Sequence, residues 1–151
     1  MMSVSVVARI LEQHRSNPAA AIAILQDLQK ELRWLPEPAL RLAALRLGVP
    51  LTQIYGLATF YHSFSLKPRG RHLIQVCLGT ACHVRGAPRI ESAIRDQLKV
   101  DLGEITPDER FSVEIVRCVG CCGLAPVVVI DEAFHGNLEA KDVPKVLEKY
   151  Q

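Results

Sequence analysis

The distribution of cysteine is the feature that most constrains this sequence. All five cysteines lie between Cys77 and Cys122, and the 76 residues before them contain none. A chain of 151 residues can bury a core without disulfide staples, so these thiols are free for another purpose. Clustered thiols in a reducing compartment are typically metal ligands or redox groups. The odd count indicates that at least one cysteine differs in role from the others.

Composition excludes several classes of protein. Hydrophobic residues make up 49% of the chain and charged residues 23%, which is typical of a folded globular protein. The formal net charge of +2 is too small to predict nucleic-acid binding, and no apolar run approaches the roughly 18 residues of a membrane span. The first residues lack the basic segment and cleavage site of a signal peptide. We therefore expect a cytoplasmic protein with no nucleic-acid partner and no direct membrane span.

The first part of the chain, residues 1–66, predicts a small helical bundle. Asn17-Pro18 is typical of a helix start and Gly48 of a helix end. Between them, apolar residues recur at spacings of three and four, which indicates one buried helix face. The candidate helices run from Val4 to Arg15, from Ala21 to Leu35, from Ala39 to Leu47 and from Leu51 to Phe60. This part carries no catalytic constellation.

The second part, residues 67–151, changes to a period typical of strands. Strands are predicted at 72–77, 111–116, 127–130 and 134–138, and helices at 86–100 and 143–150. The order is therefore strand, helix, strand, strand, strand, helix. This order is typical of a thioredoxin-like domain, an α/β sandwich of one mixed sheet and flanking helices.

The cysteines form two segments at equivalent places in this pattern. The first cysteine segment, CLGTAC at 77–82, follows the first strand, and the second, CVGCC at 118–122, follows the second strand. Both are expected to be loops at strand ends, where neighbouring strands would bring four thiolates together. Gly79, Gly120 and Gly123 would let these loops bend tightly and direct backbone N–H groups toward sulfur.

Three kinds of site are compatible with these spacings. A structural zinc takes four thiolates but usually from close pairs, and Cys77 and Cys82 are spaced widely. Dithiol chemistry fits the C-x-x-C at Cys118 and Cys121, although thioredoxin carries its pair after the first strand. A [2Fe–2S] cluster takes four thiolates from Gly-rich loops and is favoured. Because adjacent extended residues point in opposite directions, only one of Cys121 and Cys122 should face a metal, and spacing leaves open which.

The complete pattern resembles a known family. C-x4-C followed 36 residues later by C-x3-C-G-x-A-P resembles the thioredoxin-like [2Fe–2S] subunit of NADH-oxidising complexes, which include respiratory complex I, NAD-linked hydrogenases and formate dehydrogenases. The resemblance implies the ligands Cys77, Cys82, Cys118 and Cys122. It places Cys121 where the family usually has a small residue. CLGTAC looks closest to the hydrogenase diaphorase branch.

The resemblance also implies a function and partners. It predicts an electron-transfer subunit, not catalytic on its own, beside a partner subunit that binds FMN and NAD(H), with further iron–sulfur subunits in the complex. The helical part would then dock onto a partner. The alternative hypothesis is a zinc-stabilised or thiol-based interaction module without electron transfer. A visible spectrum distinguishes the two.

The sequence predicts the roles of the residues near the cysteines less specifically. His83 follows a ligand position, but a Rieske-type site needs two histidines and the second segment has none, so we expect a loop histidine. Arg85 and Arg117 flank the segments and are expected at the surface, where they could also offset the negative charge of a cluster. Pro126 resembles the proline that is cis in thioredoxins, and the sequence does not give its isomer.

Overall fold

The protein divides into two compact units, Met1–Pro68 and Arg69–Gln151, in a computed structural model that describes residues 4–15 and 17–150. Residue 1, where the predicted range 1–66 begins, and residue 151, where the predicted range 67–151 ends, lie outside the described residues. The helices and strands follow the order α1 (Val4–Gln13), α2 (Ala21–Leu32), α3 (Glu37–Leu47), α4 (Leu51–Phe60), β1 (His72–Cys77), α5 (Thr80–Val84), α6 (Ala87–Leu98), β2 (Phe111–Val116), β3 (Val127–Ile130), β4 (Ala133–Gly136) and α7 (Val143–Leu147).

The first unit consists of α1 to α4 around one aliphatic core. The Asn17 side chain accepts a hydrogen bond from the Ala19 N–H at 3.0 Å, and Pro18 opens a short 3-10 turn, as the sequence predicted. Gly48 ends α3 with φ of +66°, a conformation that favours glycine. The predicted apolar stripe is buried at Ala21, Leu25, Leu28 and Leu35 and half-buried at Leu32, where α2 ends.

The second unit contains a four-stranded sheet in the order β2-β1-β3-β4. β1 and β2 are parallel and in register, from His72 opposite Phe111 to Cys77 opposite Val116. β3 is antiparallel to both β1 and β4. One face of the sheet packs a core with α6 and α7, and the other packs a smaller cluster that contains Cys77, Cys82 and Val127. The predicted strand order along the chain is confirmed.

Some predicted boundaries were wrong. α6 covers Ala87–Leu98 within the predicted 86–100, and α7 ends at Leu147, three residues before the predicted end. α5 was missed altogether. Its five residues are too few to show a helical period, so the sequence indicated a loop there.

Candidate metal centre

The candidate centre begins where two parallel strands end at the same level. Cys77 is the last residue of β1, and its partner in register is Val116, the last residue of β2. The Leu78 N–H continues the ladder by donating to the Val116 carbonyl at 2.8 Å. The chain then leaves both strands at one edge of the sheet, which brings the two cysteine segments side by side.

Cys82 is held by a short helix rather than by the predicted loop. It lies within α5, which begins after Gly79 and is closed by a hydrogen bond from the His83 N–H to the Gly79 carbonyl at 2.8 Å. Cys77 and Cys82 are buried, with 2% and 1% of their surface exposed. The first cysteine segment therefore fixes both thiols against the core.

Gly79 lets the two segments approach each other. A Cβ at this position would overlap the carbonyl oxygen of Arg117, and it would also lie 3.5 Å from the Cβ of Cys118. Only glycine avoids this overlap without a shift of the backbone. Gly79 is thus required by the packing of one segment on the other.

The second cysteine segment is a tight turn at the surface. Gly120 has φ of +83°, and its N–H donates to the Cys118 Sγ at 3.3 Å. Cys122 begins a 3-10 turn that ends at Leu124, and its Sγ lies 3.9 Å from the Sγ of Cys118. Gly123 has open space around it, so the turn does not depend on that glycine.

Four of the five thiols line one cavity. Its volume is about 580 Å³, and its walls include Cys77, Cys82, Cys118 and Cys122. Cys121 is not among its lining residues. Its half-buried side chain packs against the hydrophobic cluster that contains Cys77, Cys82 and Val127. The separation does not arise from extended backbone, as the sequence argument assumed. Cys121 has φ of −101° and ψ of 44° and directly precedes the 3-10 turn.

At the two buried thiols, Cys77 and Cys82, hydrogen bonds from backbone N–H groups oppose the effect of burial on the thiol pKa. Burial alone would raise the pKa of Cys77, but hydrogen bonds from the N–H groups of Gly79 and Val119, and from the Cys82 thiol, hold it below its ordinary value. Burial and the hydrogen bond to Cys77 raise the pKa of Cys82, against a hydrogen bond from the Val127 N–H. Sequence reasoning missed Val119 and Val127, because a backbone donor has no signature in its side chain.

The charged neighbours of the cavity are basic. Arg85 and Arg117 both line it, and an Arg85 N–H donates to the carbonyl oxygen of Ala125 at 3.3 Å. His83 is exposed and lines a separate, adjoining cavity, so the structure does not bring it to the thiols. The Ala125–Pro126 bond is cis.

The donor set fits a two-metal group better than a single ion. Two thiolates on one tetrahedral metal, with bonds of about 2.3 Å, stand about 3.8 Å apart. The 3.9 Å between the sulfurs of Cys118 and Cys122 matches that separation, and the two buried thiols, Cys77 and Cys82, line the same cavity. Within residues 4–15 and 17–150, no three His, Cys, Asp or Glu side chains are grouped to hold one metal ion. Four thiols around one cavity, two from each cysteine segment, are the donor set that a two-iron cluster needs.

A comparison with protein-family models identifies the family of this chain. The sequence model of the thioredoxin-like [2Fe–2S] ferredoxin family matches residues 7–151. The chain belongs to this family. The predicted family, the thioredoxin-like fold and the [2Fe–2S] cofactor are therefore confirmed, and the zinc or thiol module is disfavoured.

Two relatives of this ferredoxin are components of larger enzymes. The chain is 39% identical over 144 residues to the NADP-reducing hydrogenase subunit HndA of Solidesulfovibrio fructosivorans, and the match covers 95% of this chain and 84% of that one. It is 38% identical over 138 residues to a subunit of the NADH-quinone oxidoreductase of Pseudomonas aeruginosa, and that match covers 91% and 83%. Both matches extend over both units of the ferredoxin.

A solved structure has the same fold over part of a longer chain. The ferredoxin superposes on the crystal structure of the NAD+-reducing [NiFe]-hydrogenase in the air-oxidised state with a TM-score of 0.76 and 24% sequence identity. The match covers 87% of this chain but only 23% of that one. Among the described residues of the ferredoxin, none of the helices is both long and apolar enough to cross a membrane.

Proposed function

We propose that this ferredoxin carries one [2Fe–2S] cluster on Cys77, Cys82, Cys118 and Cys122. In that state it serves as a one-electron carrier within a multisubunit NAD(H)-dependent oxidoreductase. The observation that carries the proposal is the cavity at the level ends of β1 and β2, lined by four thiols from two segments while the fifth lies outside it. The relatives, subunits of an NADP-reducing hydrogenase and of an NADH-quinone oxidoreductase, support the wider assignment.

When bound, the cluster supplies the capacity to take up and release one electron without moving a proton or breaking a bond. The protein's own part is to bind and tune it. Each segment provides two thiolates, and the N–H groups of Gly79, Val119 and Gly120 are directed at sulfur, where they stabilise negative charge. Arg85 and Arg117 add positive charge at the cavity wall, which favours the reduced form.

Hydride chemistry is assigned to a partner. The sequence lacks the G-x-G-x-x-G of a dinucleotide-binding turn, and a single-electron carrier needs a flavin to exchange electrons with a two-electron hydride donor. We propose that FMN and NAD(H) bind to a partner subunit, that further iron–sulfur subunits complete the complex, and that the helical unit docks onto a partner. A cytoplasmic location belongs to the same proposal.

Anaerobic purification of the full chain tests the cluster directly. We expect a reddish-brown protein with about two irons and two sulfides per chain, and an electron paramagnetic resonance signal that appears on reduction with dithionite. A colourless protein with one zinc would overturn the proposal. NADH alone should leave the isolated ferredoxin oxidised. The subunits that purify with it from its native host identify the parent complex.

A further inference from the structure

The exposure of the four proposed ligands indicates where on the surface an electron enters and leaves the cluster. Cys77 and Cys82 are buried, whereas Cys118 and Cys122 are exposed. The cavity therefore reaches the surface on the side of the second cysteine segment. A redox partner that approaches from this side comes closest to the cluster.

An apolar side chain is exposed at this opening. Val84, two residues after Cys82, has 80% of its surface exposed and lines the cavity wall. An exposed apolar side chain at the mouth of a functional cavity is available for contact with a partner.

The arginines at this opening have no carboxylate partner among the residues that the structure describes. Arg85 and Arg117 line the cavity itself, and Arg85 and Arg89 line the adjoining cavity together with His83. Neither cavity has an Asp or Glu in its wall.

The rest of the second unit differs. Three arginines elsewhere in this unit each form an ion pair with a carboxylate, and these are Arg69, Arg95 and Arg110. Apart from the three arginines at the opening, Arg71 is the remaining arginine of this unit without a carboxylate partner in the part of the chain that the structure describes. Unpaired arginine is therefore concentrated at the opening.

From this combination we infer that Val84, Arg85, Arg89 and Arg117 form a docking surface for the redox partner. The surface fits a partner face with an apolar centre and a rim of Asp and Glu. Opposite charges would steer the approach of the partner, and apolar contact would hold its redox group close to the cluster. The inference rests on the proposed function, because it names the kind of face that the cluster's partner presents. The step itself is the transfer of one electron from the reduced cluster to an oxidised partner, which makes and breaks no bond.

Two proteins of opposite charge test the surface. The cluster-loaded chain is reduced with dithionite, freed of excess reductant and mixed in a stopped-flow instrument with plastocyanin, an acidic blue-copper protein. Cytochrome c, a basic haem protein, is used in parallel. Both are strong one-electron oxidants, so the transfer is downhill in each case. We expect the rate constant with plastocyanin to fall as ionic strength rises, and the rate constant with cytochrome c to rise.

Matched variants assign the effect to residues. The double variant Arg85→Gln/Arg117→Gln should lower the plastocyanin rate constant about tenfold at low ionic strength and flatten its salt dependence. Arg85→Lys/Arg117→Lys keeps the charges and should retain most of the rate. Arg71→Gln removes an equally unpaired arginine at the opposite end of β1, about 20 Å away along the strand, and should change nothing. Val84→Ser should lower the rate at every ionic strength without altering the slope.

The outcomes separate this inference from a simpler role for the arginines. If they serve only to balance the charge of the cluster, the glutamine variants shift its midpoint potential but leave the salt dependence of the plastocyanin reaction as in the wild type. That result, or a rate with plastocyanin that rises with salt, would overturn the docking surface. A chain that contains no cluster in its visible spectrum before mixing instead refutes the proposed function.

Discussion

Cys77 and Cys82 lie against the core of the second unit with 2% or less of their surface exposed, whereas Cys118 and Cys122 are exposed. The first pair is positioned by regular structure, a strand end and a short helix. The second pair is positioned by a turn around Gly120. Two of the proposed ligands are thus held by regular secondary structure and two by a surface turn. We therefore expect the buried pair to resist chemical change and the exposed pair to give a redox partner access to the site.

The largest effect is expected from the choice between the two adjacent cysteines. Cys122→Ser removes one of the four thiols that line the cavity, so the iron and sulfide content of the purified protein should fall at least about tenfold. Cys121→Ser is the matched control and should retain the cluster, because that side chain packs outside the cavity. Loss of iron from the Cys121 variant alone would mean that the ligand assignment is wrong.

The contact between the two segments can be broken at Gly79. Gly79→Ala places a Cβ on the Arg117 carbonyl, which must move, and overpacking of this kind costs about 3 kcal/mol. We expect the free energy of unfolding of the cluster-free protein to fall by that amount in a urea titration. Gly123→Ala, in open space and without positive φ, should cost far less. Equal losses in the two variants would show that the segments do not depend on close approach.

Thiol alkylation measures the difference in exposure. In the cluster-free protein, iodoacetamide should modify Cys118 and Cys122 at least about tenfold faster than Cys77 and Cys82. The lowered pKa of Cys77 opposes this order, since a thiolate reacts faster than a thiol, and burial must outweigh it. Mass spectrometry of the peptides gives the rates. In urea the four rates should converge, and a fast Cys77 under native conditions would contradict a buried first pair.

The smallest effect is expected on the pH dependence of stability and arises at His135 in the edge strand β4. His135 in β4 pairs with Val128 in β3, and its ring nitrogen lies 2.8 Å from the Tyr150 hydroxyl. Burial, and next the charge of Lys149, lower its pKa below the ordinary 6.5, so the unfolded chain binds the proton more readily.

Stability from this group is therefore present above about pH 6.5 and is lost as the pH falls through the lowered pKa of the folded state. Between pH 7.5 and pH 5.5, the wild type should lose no more than about 1 kcal/mol beyond the loss seen in His135→Gln, measured by urea unfolding of the cluster-free protein. A larger loss in the variant would reverse the sign of the argument.

Periodicity predicted the parts of this fold that have enough residues to show a period. The apolar stripe of α2 indicated the helical unit, and the alternation of Phe111, Val113 and Ile115 indicated the strand β2. α5 was not predicted, because five residues hold little more than one turn and Cys82 gives no propensity signal. Register with a distant strand also leaves no local trace, so the level ends of β1 and β2 had to be observed.

The residues of the candidate site were assigned by resemblance, and the physical causes that group them were not predicted. Cys77, Cys82, Cys118 and Cys122 were assigned by resemblance, and their shared cavity supports that assignment. The separation of Cys121 from Cys122 was attributed to extended backbone, whereas it occurs at the start of a 3-10 turn. Gly79 was expected to give the chain freedom, yet its role is to leave room for Arg117. Such close approaches depend on tertiary packing, which no spacing records.

The in-register pairing of β1 and β2 has a consequence for how the chain can vary in length. Six residue pairs, from His72–Phe111 to Cys77–Val116, set the two segments at one level. The number of residues between the segments does not enter that alignment. Within this interval the Gly103 N–H donates to the Val113 carbonyl of β2 at 2.9 Å. A peptide tag inserted before it, between the exposed Asp101 and Leu102, would lengthen the connection while leaving that hydrogen bond and the strand pairing in place. A fluorescent reporter could thus be carried between the two halves of the site while leaving the site itself in place.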